Sequence, residues 1–305
     1  MSAAFKPAYL ESYESGLLKK RIAAGQELMK DCCLCPRECR VDRNLVPGKV
    51  CGIDRKTQVS SYFPHFGEEI CLRGFRGSGT IFFYGCNLHC AFCQNWEISN
   101  STNGYPIPTA NLARMMIELQ DQGCHNINLV TPSHVVVPIL ESLPQAIEIG
   151  LVKPLVYNTS GYDSLTALKL LDQIVDIYLT DVKFLDVNSA KRYLNAPDYP
   201  TVVRRNLQEM HRQVGDLVLD SSGIAQRGLL IRHLLMPGHI TDTSQILNFI
   251  ANELSTDMAV NLMTQYRPQY LVNNDRLSEI NRTVTSLEYQ KALEIARAAG
   301  LHRLL

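Results

Sequence analysis

Thr80-Ile-Phe-Phe-Tyr84-Gly-Cys86-Asn-Leu-His-Cys90-Ala-Phe-Cys93-Gln-Asn-Trp96 opens on a short apolar run and passes through one glycine into a loop of three cysteines. An apolar run of this length bounded by glycine reads as a buried strand, Thr80–Tyr84. Similar runs recur at Asn126–Val130, Leu155–Asn158, Ile174–Thr180, Leu229–Leu235 and Ala259–Met263. Helical patterns lie near 109–123, 134–150, 163–172, 201–214, 242–255 and 286–299. Thr285 and Glu288 stand three apart at the start of the last, as in a capping box. Strands separated by helices make βαβ units and a parallel sheet. Six such strands predict an α/β protein built as a partial (β/α)6 barrel.

Upstream, residues 8–31 read as one helix, with Leu10, Leu17, Leu18, Ile22 and Leu28 as its apolar stripe. Residues 32–55 are rich in Cys, Arg, Pro and Gly without periodicity, the pattern of a small module ordered by metal. Residues 56–79 read as irregular strands and turns. The expected organisation is an N-terminal helix and Cys-rich module over 1–72, followed by the barrel over 73–305.

In a parallel barrel, sites are built from the loops after the strands' C-terminal ends. Cys86-x3-Cys90-x2-Cys93 occupies the first of these loops. Three thiolates suit a cubane iron–sulfur cluster, because each holds one iron and the fourth iron stays open to an exogenous ligand. The competing readings are a zinc site with His89 as fourth ligand, and three unligated buried cysteines.

Other strand ends carry polar groups. Asp181 and Lys183, two apart, share one face of the fourth strand; a structural ion pair is the plainer reading. Arg232 lies inside an apolar strand and needs a carboxylate partner. Its neighbour His233 points the other way and reads as a satisfied core histidine. Asn158 and Asn261 end the third and sixth strands. Tyr266 and Arg267 read equally as substrate contacts or as loop packing.

Cys32, Cys35, Cys39 and Cys51 form C-x2-C-x3-C-x11-C, with Cys33 able to replace Cys32 in register. Four thiolates close a zinc tetrahedron or hold an auxiliary iron–sulfur cluster; a metal-free packing role is the third reading. Arg37, Arg40, Arg43, Lys49, Arg55 and Lys56 around them read as a solvated basic face, or as a contact for an acidic partner or RNA. Cys71 and Cys124 read as buried small hydrophobes.

Lys plus Arg number 30, as do Asp plus Glu, so no overall field draws the chain to nucleic acid or anionic membrane. No apolar run nears the roughly 20 residues of a membrane span, and the first residues lack a signal-peptide core. A cytoplasmic location is expected, where ten cysteines serve as metal ligands more readily than as disulfides.

These motifs together resemble the radical S-adenosylmethionine (SAM) superfamily, in the branch of pyruvate formate-lyase activating-enzyme-like proteins. The likeness runs through Cys32–Cys39, Arg76-Gly-Ser-Gly-Thr-Ile-Phe-Phe, Cys86–Asn95, Asn128-Leu-Val-Thr-Pro-Ser-His134, Tyr157-Asn-Thr-Ser-Gly-Tyr162, Tyr178-Leu-Thr-Asp-Val-Lys183, Arg232-His-Leu-Leu-Met-Pro-Gly238 and Asn261-Leu-Met-Thr-Gln-Tyr-Arg-Pro268. It implies a [4Fe–4S] cluster on Cys86, Cys90 and Cys93, whose open iron takes the amino and carboxylate groups of SAM. Phe92 then suits stacking on adenine. The loop after the second strand receives the SAM amino group. It carries Thr131, Ser133 and His134 where the superfamily usually has Gly-Gly-Glu. Asp181, Lys183 and Arg232 are implied at SAM, with Lys183 near its carboxylate, and Asn158 and Asn261 near ribose or substrate.

The implied chemistry is reductive. A flavodoxin- or ferredoxin-type donor supplies an electron, SAM splits to methionine and a 5′-deoxyadenosyl radical, and that radical takes a hydrogen atom from substrate. The branch implies a glycine of a partner glycyl-radical enzyme, a protein substrate. The alternatives are radical modification or methylation of a peptide, RNA or small molecule, and, more remotely, a non-catalytic zinc- or RNA-binding module.

Overall fold

The computed structural model describes residues 5–305; the first four residues of the expected 1–72 region lie outside it. Two helices come first, α1 (Ala8–Glu14) and α2 (Leu17–Lys30), then a segment without helix or strand, then β1 (Thr57–His65), α3 (Ile70–Arg73) and β2 (Ser78–Phe83). After the cysteine loop come α4 (Trp96–Ser99), β3 (Pro106–Ile107), α5 (Thr109–Asp121), β4 (Ile127–Val130), α6 (Val136–Glu148), β5 (Leu155–Thr159) and α7 (Leu165–Leu171). The chain continues with β6 (Ile177–Asp181), α8 (Val187–Leu194), α9 (Tyr199–Val214), β7 (Val218–Leu219), β8 (Ala225–Leu234), α10 (Ile240–Phe249), β9 (Ala259–Met263) and α11 (Ser286–Ala298).

The six expected strands are β2, β4, β5, β6, β8 and β9, and they pair in that order, all parallel. β1 and β7 add antiparallel pairings at β2 and β8. Among the described residues β9 does not pair back to β1 or β2, so the barrel stays open. The sheet is α/β and mostly parallel, as expected. Its register sets Asp181 beside Arg232 and Arg232 beside Asn261, a polar row across three strand ends.

The expected single helix over 8–31 is two. Gly16 sits at φ +75°, the left-handed region that ends one helix and admits the next at an angle. A further helix, α8, has no counterpart among the helical patterns of the sequence. It is only eight residues long and owes its start to Asp186, whose side chain accepts from the Ser189 N–H. The capping box at Thr285 and Glu288 forms as expected, with both reciprocal hydrogen bonds.

The segment before residue 73 is packed into the rest. Tyr9, Leu18 and Met29 share one hydrophobic core with the sheet. The Ala8 N–H donates to Asp176, and the Tyr9 hydroxyl to the Lys153 carbonyl. No helix among the described residues is long and apolar enough to cross a membrane.

Candidate active site

Strand ends from β2, β4, β5, β6, β8 and β9 all reach one cavity of about 240 Å³. The three cysteines of the β2 loop line it together with Phe92, Thr131, Asn158, Asp181, Lys183 and Arg232. Residues far apart in the chain are thus gathered at the C-terminal edge of a parallel sheet, where an α/β barrel builds its site.

Its floor is a charged network. Asp181 accepts from Arg232 Nε at 2.7 Å and from Lys183 Nζ at 3.1 Å. Arg232 also donates to Asn158 Oδ1 at 2.8 Å and to Glu68 Oε2 at 3.2 Å. Burial alone raises a carboxyl, but Arg232 and Lys183 outweigh it and hold Asp181 at about 2. The carboxylate partner that Arg232 requires is therefore supplied by this chain, from Asp181 and Glu68. Glu68 is absent from the residues that the sequence singles out. It comes from the turn between β1 and α3, where two adjacent acids precede Ile70-Cys71-Leu72 and are the available signal.

Three expected cofactor contacts lie outside the cavity lining. Thr131 takes φ +58°, and this left-handed residue breaks the strand alternation, so that Ser133 and His134 turn inward to the core. Ser133 is buried beside Thr159 Oγ1, and His134 is buried with Nε2 on the Tyr84 carbonyl. The Asn261 side chain is drawn to Glu69, donating at 2.8 Å. Tyr266 is a packing residue, buried with its hydroxyl on the Ile280 carbonyl.

His233 is the core histidine expected, with Nδ1 on the Val182 carbonyl and Nε2 on Thr243 Oγ1. Burial holds its imidazole down at about 4. An unfolded histidine takes its proton near 6.5, so acidification from pH 7 to 5 favours the unfolded chain, by up to about 2 kcal/mol from this group. His233→Gln is expected to flatten the fall of stability over that interval in denaturant titrations; equal slopes would count against it.

Within the cysteine loop, Cys86 and Cys90 are buried and Cys93 is half-buried. The Leu88 N–H points at Cys86 Sγ at 3.3 Å, and Ser99 Oγ lies 3.3 Å from Cys93 Sγ. Burial pushes the Cys86 and Cys90 thiols up, so thiolates form there only beside a cationic group such as bound metal. Three soft donors opening on one cavity, one of them supported by an N–H and one by a hydroxyl, fit an iron–sulfur cluster. His89 does not complete a zinc set. Its Nε2 is 2.9 Å from the Val50 carbonyl, and its Nδ1 bonds Asn100. Among the described residues no three His, Cys, Asp or Glu side chains stand close enough to hold a single metal ion.

In the N-terminal module Cys32, Cys35, Cys39 and Cys51 are all buried, whereas Cys33 is half-exposed. The basic face expected around them is mostly spoken for. Arg40 pairs with Asp31 and Glu38, Arg55 pairs with Glu141, Arg43 is buried, and Arg37 donates to backbone carbonyls. Cys71 and Cys124 are buried, as expected of small hydrophobes.

Residues 80–223 match the model of the Radical SAM superfamily. An uncharacterized protein of Methanocaldococcus jannaschii is 32% identical over 302 residues, covering 96% of this chain and 82% of that one. Among solved structures, SuiB of Streptococcus suis bound to S-adenosylmethionine gives a TM-score of 0.46 at 12% identity, over 70% of this chain and 44% of that one. Methylornithine synthase gives 0.46 at 17%, over 70% and 60%. The chain covers less than two thirds of either structure, and likenesses this loose carry no argument.

Proposed function

We propose, from the match of residues 80–223 to the Radical SAM superfamily, that this chain cleaves SAM at an iron–sulfur cluster and that Cys86, Cys90 and Cys93 hold that [4Fe–4S] cluster over the cavity floor. The observation that carries this is the convergence of three thiols and the Asp181–Lys183–Arg232 network on one cavity. When bound, cluster and SAM supply one electron and a primary carbon radical that takes hydrogen from substrate.

The chain's own residues do the holding. Lys183 uses one of its N–H groups on Asp181; among the described residues no hydrogen bond engages the other two, and they are the donors for the SAM carboxylate. Arg232 spends three of its five N–H groups on Asp181, Glu68 and Asn158, so it sets the positions of Asp181 and Asn158 and keeps two donors on the cavity side for SAM. Thr131 and Asn158 offer oxygens to the ammonium and ribose. Phe83, Leu88, Phe92, Leu234 and Met263 line the cavity and exclude water. Cys32, Cys35, Cys39 and Cys51 do not stand close enough for a single zinc ion, which leaves an auxiliary iron–sulfur cluster as the centre we assign to them.

We read the hydrogen donor as a glycine of a partner glycyl-radical enzyme, supported by the activating-enzyme pattern of the strand-end motifs. A low-potential flavodoxin or ferredoxin is the electron source. Anaerobic incubation with SAM, reduced flavodoxin and a candidate partner is expected to yield 5′-deoxyadenosine and a glycyl doublet in the partner's EPR spectrum. Deoxyadenosine without the doublet across such partners removes the glycine reading; absence of both removes the whole.

A further inference from the structure

We propose that a cleft separate from the cysteine-lined cavity binds a phosphate monoester with an apolar body. Cleft and cavity share no lining residue, so the site stands whatever the cysteines hold.

Its place follows from the sheet. β1 pairs antiparallel with β3, which sets Thr57 opposite Ile107. Pro108 then turns the chain directly into α5, and Thr57 and the first residue of that helix, Thr109, come to line one cleft of about 340 Å³. Arg55 and Lys56 approach from just before β1, and Glu141 from α6. Further along β1, Val59 pairs with Phe83, which lines the cysteine cavity. The cleft therefore lies one strand beyond that cavity, at the same edge of the sheet.

Donors are in excess there. Thr57 is 3% exposed, and its Oγ1 has no hydrogen-bond partner among the described residues. Arg55 gives Nη2 to Glu141 at 2.5 Å, whereas its Nη1 is buried without an acceptor. A buried donor in that state is destabilising until an acceptor reaches it. Lys56 uses its backbone N–H on Asp54, and no hydrogen bond among the described residues engages its ammonium. The N-terminus of α5 adds to these. A proline precedes Thr109, so no side-chain oxygen caps the helix, and its first paired amides are those of Asn111 and Leu112, both on the Pro108 carbonyl. The Thr109 and Ala110 N–H groups are left over, with the positive end of the helix dipole behind them.

The composition of the wall selects among anions. Among the described residues Glu141 is the single acid of the lining, and Arg55 and Gln26 both donate to its Oε1. Two cations thus face one acid that is already engaged. A guanidinium, an ammonium, a hydroxyl and two amides exceed what the two oxygens of a carboxylate accept. They match the three oxygens and nearly double charge of a phosphate monoester at a helix N-terminus. Ile107, Pro108 and Pro138 make up the apolar side of the cleft and give the ester's carbon body a surface to cover.

Calorimetric titration of the full chain with phenyl phosphate, inorganic phosphate and diphenyl phosphate tests this. Phenyl phosphate is expected to bind at one site per chain, about 10-fold tighter than inorganic phosphate, which lacks the apolar body. It is also expected to bind about 10-fold tighter than the diester, which has one free oxygen and one charge fewer. Lys56→Ala, at an exposed position, weakens phenyl phosphate about 10-fold. Thr57→Val keeps the shape and removes the unpartnered hydroxyl, so it weakens binding about 5-fold while the free protein melts no lower than wild type. A merely structural hydroxyl would do the reverse, lowering the melt and leaving affinity alone. Lys183→Met, in the other cavity, leaves phenyl phosphate binding unchanged. The proposal is overturned by the absence of saturable binding up to about 10 mM phenyl phosphate, or by equal affinity for inorganic phosphate or the diester. Affinity that survives both Lys56→Ala and Thr57→Val overturns it too, as does loss of binding in Lys183→Met.

Discussion

Alanine at Cys86, Cys90 or Cys93, one position at a time, is expected to abolish 5′-deoxyadenosine formation and to strip the brown chromophore from protein purified without oxygen. Each substitution removes one of three thiolates, and no neighbour takes its place. His89, within the same loop, has both ring nitrogens engaged, by Asn100 and by the Val50 carbonyl. The loss should be nearly complete at each of the three positions, because a cubane held at two corners exposes two irons to solvent and chelators. The fold should survive, since alanine leaves the strand and the Leu88 and Phe92 packing intact. Iron and sulfide per chain, with circular dichroism as the control for folding, check it. Any single variant that retains its iron would falsify the ligand assignment.

Arg232→Met is expected to destabilise the fold more than any other single change in the cavity floor. Arg232 stands between Asp181 and Glu68, with Asn158 on its third side. Among the described residues its removal leaves Asp181 with Lys183 as its only ion-pair partner and Glu68 with only the His65 ring; breaking a buried ion pair from one side costs about 3–5 kcal/mol. In a chain of this size that lowers the melting temperature on the order of 10 °C. Asp181 then loses the stronger of the two cations that hold it down, and its carboxyl rises. Adding Asp181→Asn to Arg232→Met should restore part of the stability, since the two side chains act as one unit. Thermal melts of both single variants and the double one decide the matter; additive losses would show the pair to be uncoupled.

The parallel sheet is legible in the sequence because each strand is a short apolar run and each is followed by a helical pattern. Asp181 and Lys183 are legible for the simple reason that strand side chains alternate, and both line the cavity. The hidden parts lie where alternation stops. Thr131 adopts a left-handed backbone, so the orientation of Ser133 and His134 cannot be counted forward from β4. Asn261 sits in register with Arg232, yet its side chain is drawn off by Glu69. Glu68 and Glu69 belong to a turn outside the six-strand repeat, and no local pattern announces that a turn will plug the sheet's interior. Gly16 is visible, but a lone glycine inside an apolar stripe does not by itself declare a break in a helix.

The cavity floor is assembled from parts of the chain that are far apart in synthesis. Glu68 meets Arg232 across 164 residues, and Glu69 meets Asn261 across 192. Contacts of such separation are late to form, since the intervening polypeptide must be ordered before they can close. On a ribosome, the three thiols and both acids emerge while β8 and β9 are still unmade. The nascent protein therefore presents its cysteine loop above an unfinished basin, and a cluster delivered early would sit open to water. Closure of the basin therefore waits on the arrival of the last strand, β9 (Ala259–Met263).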